Sequence, residues 1–378
     1  MLIFTCIKWL YVMKYTKLLN FIFLYLFLFS VQVNAVDNKK KEINFDISSK
    51  IKKEAILIRD YFAYKKDTIG EFSFEFESRI YGKANNREYG AILALEISNL
   101  NNQVVANNAL LYIESDWGRF EYGLNDSLIE NMLYSGNKAS SGSGGVNGSF
   151  INYINLPIEL DNYLIVREGT FSEQFKNFSN NPSRTIYYSP KFKGLQVGVS
   201  YTKQQNQDRN NVFQKINTSY HKIFNLVANY EKQIKDINIG LSFAFENAKA
   251  DDNFSLIQGD YKDISSAVFG GVINYRGFKL GGSYGNFNNI LNYQDKSIES
   301  NYYSLTAGYE IGKVSASIGF FSSVHNEDNK FTNIAINGTY DTYKGIVTYV
   351  DINFITMQTN KYGHDSGVVL VVGNNFNF

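Results

Sequence analysis

Apolar and polar residues alternate with period two along most of this 378-residue chain, and few folds accept such a pattern at that length. In Glu71-Phe72-Ser73-Phe74-Glu75-Phe76-Glu77, the three Phe share one face and the three Glu and Ser share the other. Ile237 to Glu246 repeats the pattern, as do Leu195 to Thr202, Phe278 to Gly285, Val314 to Phe320 and Ile346 to Phe354. Successive side chains of a strand point to opposite faces, so these stretches read as strands with one apolar and one polar face. A content of 30 Phe and 28 Tyr against 3 Pro agrees with an all-β chain.

Residues 1–35 break the pattern. They contain no acid and only three cations, Lys8, Lys14 and Lys17. From Leu18 to Ser30 the chain is almost wholly apolar, and Val33-Asn34-Ala35 follows as a small-x-small pattern. A charged start, a short apolar core and such an end describe a secretory signal peptide, too short for a span of about 20 residues. Met13 directly precedes Lys14, so translation is expected to start there. Beyond Ala35 the chain has no Cys and no long apolar run, and 34 cations face 36 anions. An exported chain of this kind can cross a membrane only as a closed barrel, because every backbone polar group must be paired inside lipid.

Other chemistries find little support. The near-neutral balance argues against a nucleic-acid partner, which needs a basic excess to neutralise phosphates. A single Cys and three His leave no basis for a zinc or iron–sulfur centre, and no cofactor is expected. The tract Ser140 to Ser149 has no Lys after its glycines, so it is not a phosphate-binding loop. Asp251, Asp252 and Asp260 lack the spacing of a calcium-binding EF-hand loop. His221, His325 and His364 recur with no Ser and acid in a lipase-like local pattern, so no enzyme is expected.

Short turns at Lys191 to Gly194, Arg276-Gly277 and Ile311 to Lys313 alternate with longer polar loops at 205–220, 248–263, 287–300, 323–330 and 358–366. Strands of about ten residues with that asymmetry form the transmembrane barrel pattern. Fifteen strands are legible between residues 71 and 378. Even strand number then requires one more, placed at Glu54 to Tyr64, for sixteen in all. Because Ile43, Ile47, Ile51 and Ala55 recur at helical spacing, residues 36–53 are expected to form a periplasmic segment with a short helix. The barrel would then span 54–378. The last strand ends on Phe376 and Phe378, and a terminal aromatic resembles the signal by which barrel-assembly machinery recognises outer-membrane proteins.

Between Asn125 and Ser183 lie 57 residues without a convincing strand pair. Loops longer than about 15 residues in a compact fold are usually functional or disordered. Leu110 to Asp126 (LLYIESDWGRFEYGLND), Ser127 to Gly136, and Ser183 to Tyr201 (SRTIYYSPKFKGLQVGVSY) flank and open this connection. In these segments and in the terminal Phe, the chain resembles the bacterial general porins, particularly the alphaproteobacterial type, over residues 71–378. Residues 36–66 are Lys-rich and depart from that pattern.

The resemblance implies an outer-membrane, water-filled channel for ions and small hydrophilic solutes. It also implies homotrimers in contact with outer-membrane lipids, and a third loop folded into the lumen whose acids face wall cations. The candidate loop acids are Glu130, Glu159, Asp161, Glu168 and Glu173. Candidate wall cations are Arg79, Arg119 and Arg184. The rival expectation is a structural or adhesive barrel that displays the same connection outward.

Overall fold

The computed structural model describes residues 43–59, 67–98, 103–153, 165–174, 182–206, 219–250, 262–289, 299–325, 329–359 and 363–378. The leader, Met13, Glu159 and Asp161 lie outside the described residues. Sixteen strands occur among them. The first eight are β1 (Ile43–Arg59), β2 (Asp67–Ala84), β3 (Arg87–Ser98), β4 (Gln103–Ser115), β5 (Gly118–Leu124), β6 (Ser183–Tyr188), β7 (Leu195–Asn206) and β8 (Ser219–Ile234). The remaining eight are β9 (Ile237–Ala250), β10 (Ile264–Tyr275), β11 (Phe278–Asn288), β12 (Glu299–Ile311), β13 (Val314–His325), β14 (Asn329–Tyr343), β15 (Ile346–Thr359) and β16 (Gly363–Asn377). Each strand pairs antiparallel with its neighbours in sequence, and β1 pairs with β16 to close the barrel.

The alternation sets which face looks out. Leu241, Phe269, Leu305 and Ile318 are more than half exposed on the outer face. Their in-register partners carry the pattern around the wall, as in Phe269 beside Phe243, with ring centroids 4.8 Å apart. Inward positions hold Ser, Asn, Thr and Gly, as in Ser242, Ser266, Ser304, Ser317 and Asn337. Short turns join β2–β3, β4–β5, β6–β7, β8–β9, β10–β11, β12–β13 and β14–β15 on one rim. The chain terminus shares that rim, because Asn377 N donates to Gly345 O in the β14–β15 turn at 2.8 Å.

One expectation is corrected. Residues 43–53 form no helix; they are the first half of β1, in register with β2 from Ile43 opposite Gly82 to Ile58 opposite Asp67. A spacing of four is an even number, so Ile43, Ile47, Ile51 and Ala55 share a strand face as readily as a helix face. Ile43, Phe45 and Ile47 accordingly look outward and are exposed. The strand also starts short of the barrel's closing seam, since β16 reaches only to Lys50 and Ser49.

The buried apolar cluster lies on the inner face. Ile56, Val227, Val268, Tyr302, Phe321, Ile355 and Val371 from the wall pack with Leu128, Ile129, Phe150, Ile165 and Phe171 from the β5–β6 connection. Burying side chains such as Phe150 and Phe171 is worth about 1.5–3 kcal/mol each.

Candidate functional site

The β5–β6 connection starts with α1 (Leu128–Met132), capped by Ser127 Oγ accepting from Ile129 N at 3.1 Å. Short 3-10 turns follow through Tyr153, and α2 (Phe171–Gln174) ends its described part. Hydrogen bonds join it to inward-facing side chains around the wall. Tyr134 N donates to Ser242 Oγ at 2.9 Å, Ser141 N to Ser317 Oγ at 2.8 Å and Gly169 N to Tyr302 Oη at 2.8 Å. The glycine-serine tract is part of this set, with Ser143 N bonded to Asp351 Oδ2 at 2.9 Å and Ser149 Oγ to Glu54 Oε1 at 2.9 Å.

Close approach needs a wall without side chains. A Cβ on Gly270 would sit 2.0 Å from Tyr134 O, and one on Gly308 would sit 2.4 Å from Ala139 O. Gly198, Gly240 and Gly281 meet Leu128, Tyr134 and Ser135 in the same way. These glycines lie on inward positions of β7, β9, β10, β11 and β12, so the backbone of the connection follows a groove around the inside.

Glu168 acts as the central staple. It is 3% exposed, and its carboxylate accepts from Ser135 Oγ at 2.8 Å, from Gly136 N and Asn137 N at 3.0 Å each, from Ser283 Oγ at 3.1 Å and from Ser304 Oγ. One carboxylate thus links two parts of the connection to β11 and β12. Three wall acids also grip this segment: Glu54, Glu246 through Ser172 N at 2.9 Å, and Asp351. Sequence reading missed these three. For Glu246 the signal was a lone acid at an inward position of a strand whose inward face is otherwise Asn, Gly, Ser and Ala; the mixed inward faces of β1 and β15 gave none for Glu54 and Asp351.

The arginines sit apart from that seat. Arg79 Nε donates to Tyr112 Oη at 2.9 Å, and its Nη2 pairs with Glu88. Arg119 pairs with Glu121 at 2.6 Å and Glu114 at 3.1 Å. The Tyr112 ring lies between both, with Arg119 Cζ 4.1 Å and Arg79 Cζ 5.2 Å from its centroid. The salt-bridge partners of both arginines are therefore acids of the wall. Arg184 is buried and donates to Asn125 O at 3.2 Å, fixing the start of the connection. Glu130 lies on α1, half-buried, and Glu173 lies on α2.

Inward positions of β1–β5 carry Lys50, Lys52, Arg79, Lys83 and Arg119 against Asp46, Glu54, Glu71, Glu75, Glu77, Glu88, Glu96, Glu114 and Glu121. Acids outnumber cations there. Glu114 and Arg79 in this sector stay open, with 49% and 34% side-chain exposure, although Glu71 and Glu121 beside them are buried; Thr306, Phe321 and Asn333 across the barrel have no exposure. Ser300 Oγ and His325 Nδ1 do meet across β12–β13, but at 0% and 3% exposure the pair is enclosed.

Comparison with known proteins agrees with this architecture. An uncharacterized protein of Rickettsia conorii is 22% identical over 302 residues, 65% of this chain and 69% of its own length. The anion-selective porin from Comamonas acidovorans superposes with a TM-score of 0.62 at 14% identity, covering 89% of this chain and all of that one. OmpT of Vibrio cholerae, solved in a trimer form, gives 0.59 at 10% identity over 89% of this chain and 99% of its own. The family model described as Gram-negative porin matches residues 31–360. The chain therefore belongs to the Gram-negative porins, channels of the outer membrane through which small solutes diffuse passively.

Proposed function

We propose that the open passage of this channel runs along the inner faces of β1–β5 and favours cations. The observation that carries the reading is the pairing of Arg79 and Arg119 with Glu88, Glu114 and Glu121. With both guanidinium groups neutralised on the wall, Lys52 paired with Glu54 and Lys50 set opposite Glu75, the surplus acids of this face, Glu77 and Glu96 among them, set the sign of the field. Fixed charges in a confined lumen raise the local concentration of the opposite ion. The likeness to an anion-selective porin is one of fold, and does not fix this sign. Glu130, Glu159, Asp161 and Glu173 on the connection would add to the same field, while Glu168 holds the connection in its seat.

Purified, refolded protein in a planar bilayer under a tenfold KCl gradient tests the reading. A reversal potential on the cation side is expected, within an ideal limit of about 59 mV. Arg79→Gln with Arg119→Gln frees the paired acids and is expected to move the potential further the same way. Anion preference in the unmodified protein would overturn the assignment.

The assembly is proposed as a homotrimer, exported by cleavage after Ala35 and delivered through recognition of Phe376 and Phe378 by barrel-assembly machinery. Three simple measurements bear on these: the mass of the detergent complex, the N-terminal sequence of the mature chain, and outer-membrane yield after deletion of Phe378. A monomeric mass, a retained leader or an unchanged yield would each remove the corresponding part.

A further inference from the structure

Five consecutive short turns share a pattern that the channel function does not use. Each presents an exposed bulky apolar residue and then a cation: Phe192-Lys193, Ile234-Lys235, Tyr275-Arg276, Ile311-Gly312-Lys313 and Tyr343-Lys344. The apolar members are 69%, 46%, 43%, 63% and 74% exposed. All five turns lie on the rim that holds the chain terminus. Backbone bonds tie three of them to the next hairpin: Glu231 N to Gly194 O, Glu310 N to Gly277 O and Asp341 N to Lys313 O, each 2.9 Å.

Backbone geometry makes the choice of residue informative. Lys193, Lys235 and Arg276 have φ of 50°, 53° and 45°, the left-handed region that Gly and Asn occupy at lower cost. The β2–β3 turn shows the ordinary solution, with Asn85 and Asn86 at φ of 49° and 60°. Three turns thus hold a long cation where a small residue would fit with less strain. Lys193, Lys235, Lys313 and Lys344 form no salt bridge with another described residue, while Arg276 pairs with Asp236 at 2.6 Å. Lys193 Nζ lies 5.4 Å from the Phe192 ring centroid, and Arg276 Cζ lies 5.4 Å from that of Tyr275, so cation and apolar anchor occupy one spot.

We infer that this arc, from the β6–β7 turn to the β14–β15 turn, docks on anionic phospholipid headgroups of the leaflet facing the periplasm. An aromatic or aliphatic side chain at the hydrocarbon boundary with a cation beside it matches a phosphodiester above acyl chains. The β2–β3 turn lacks the pair, and in the β4–β5 turn Trp117 is exposed but the cation, Arg119, is held inward by Glu114 and Glu121, so the arc covers β6–β15 only. The placement of this rim at the periplasm rests on the porin assignment above.

The test reconstitutes the full chain in bilayers of phosphatidylcholine with a minority of phosphatidylglycerol, and measures boundary-lipid composition and conductance together. One cation near an anionic surface is worth about fivefold in occupancy, so enrichment of phosphatidylglycerol by about threefold or more at low salt is expected. It should fall at 1 M salt, where the screening length shrinks to about 3 Å. K193Q, K235Q, R276Q, K313Q and K344Q combined should abolish enrichment and leave conductance unchanged. A second variant with K193R, K235R, K313R and K344R should keep both. No enrichment by the wild type, or enrichment kept by the Gln variant, would overturn the inference. So would Gln-sensitive binding to cell-wall sacculi with lipid composition unaltered. Enrichment without channel conductance would instead sink the channel reading and leave this one standing.

Discussion

Glu168→Ala is the sharpest perturbation of the seat. The carboxylate satisfies two backbone N–H groups, those of Gly136 and Asn137, and three hydroxyls. Without it, Ser283 and Ser304 can turn to each other, since their oxygens already lie 3.0 Å apart. The two amides have no such recourse. Each buried donor left without a partner costs about 1–3 kcal/mol, for about 2–6 kcal/mol in all. Removing a buried carboxylate also refunds part of its own desolvation, which reduces the net loss to about 2–4 kcal/mol. That shifts the balance between seated and displaced connection by about 30-fold to 1000-fold. The barrel ladder is untouched, so β content and resistance to unfolding in detergent should persist. Single-channel recordings should show added current noise and excursions to higher conductance. Protease should also cut the tract around Gly144 in the folded variant faster than in wild type. Wild-type conductance, noise and cleavage rate in the variant would refute the role given to this carboxylate.

Other perturbations follow from the same geometry. Gly270→Val and Gly308→Val place side-chain atoms where Tyr134 O and Ala139 O now lie, and overpacking of this kind costs about 1–3 kcal/mol. Raised conductance in a barrel of unchanged β content is the expected outcome. Phe171→Ala removes a side chain 1% exposed and edge-on to Tyr220 at 4.9 Å, for a loss of about 3–5 kcal/mol in the seating of the connection, read as faster protease cleavage of the connection in a barrel of unchanged β content. Glu75→Gln with Glu77→Gln should move the reversal potential towards anions, and an unchanged potential would remove the β2 acids from the selective field.

The strand faces were legible because alternation is local: Phe72, Phe74 and Phe76 announce an outer face without knowledge of any partner. The start of β1 was not, since Ile43, Ile47 and Ile51 satisfy both periodicities and only the pairing with Ser78 and Phe74 decides. The inward direction of Arg79 and Arg119 could be read from their own strands. Their pairing depends on register, which brings Glu88 across from Lys83 and Glu114 across from Arg119. The Arg119–Glu121 pair was within reach, because residues two apart share a strand face. Loop anchoring was out of reach. Asp351 lies 208 residues from the Ser143 it holds, and Ser149 lies 95 from the Glu54 that accepts its hydroxyl hydrogen bond.

The seam between β1 and β16 carries a consequence for how such a wall forms. Every other strand pairing joins chain neighbours and can zip hairpin by hairpin, at a loop-closure cost that grows by only about 0.6 kcal/mol for each doubling of length. The seam alone requires the two ends of the described chain to find each other, and it is sealed by Ser49 and Phe378 exchanging hydrogen bonds of 3.1 and 2.9 Å. Long-range pairing of this kind is the slow event in folding. Before it happens, the molecule is a curved sheet with two bare edges and a half-made bed for the β5–β6 connection, because Glu54 belongs to one edge strand and Val369 and Val371 to the other. Closure of the cylinder and completion of that bed are thus one cooperative step, and an incompletely sealed chain should leak, if it inserts at all, without the steady conductance of the finished pore.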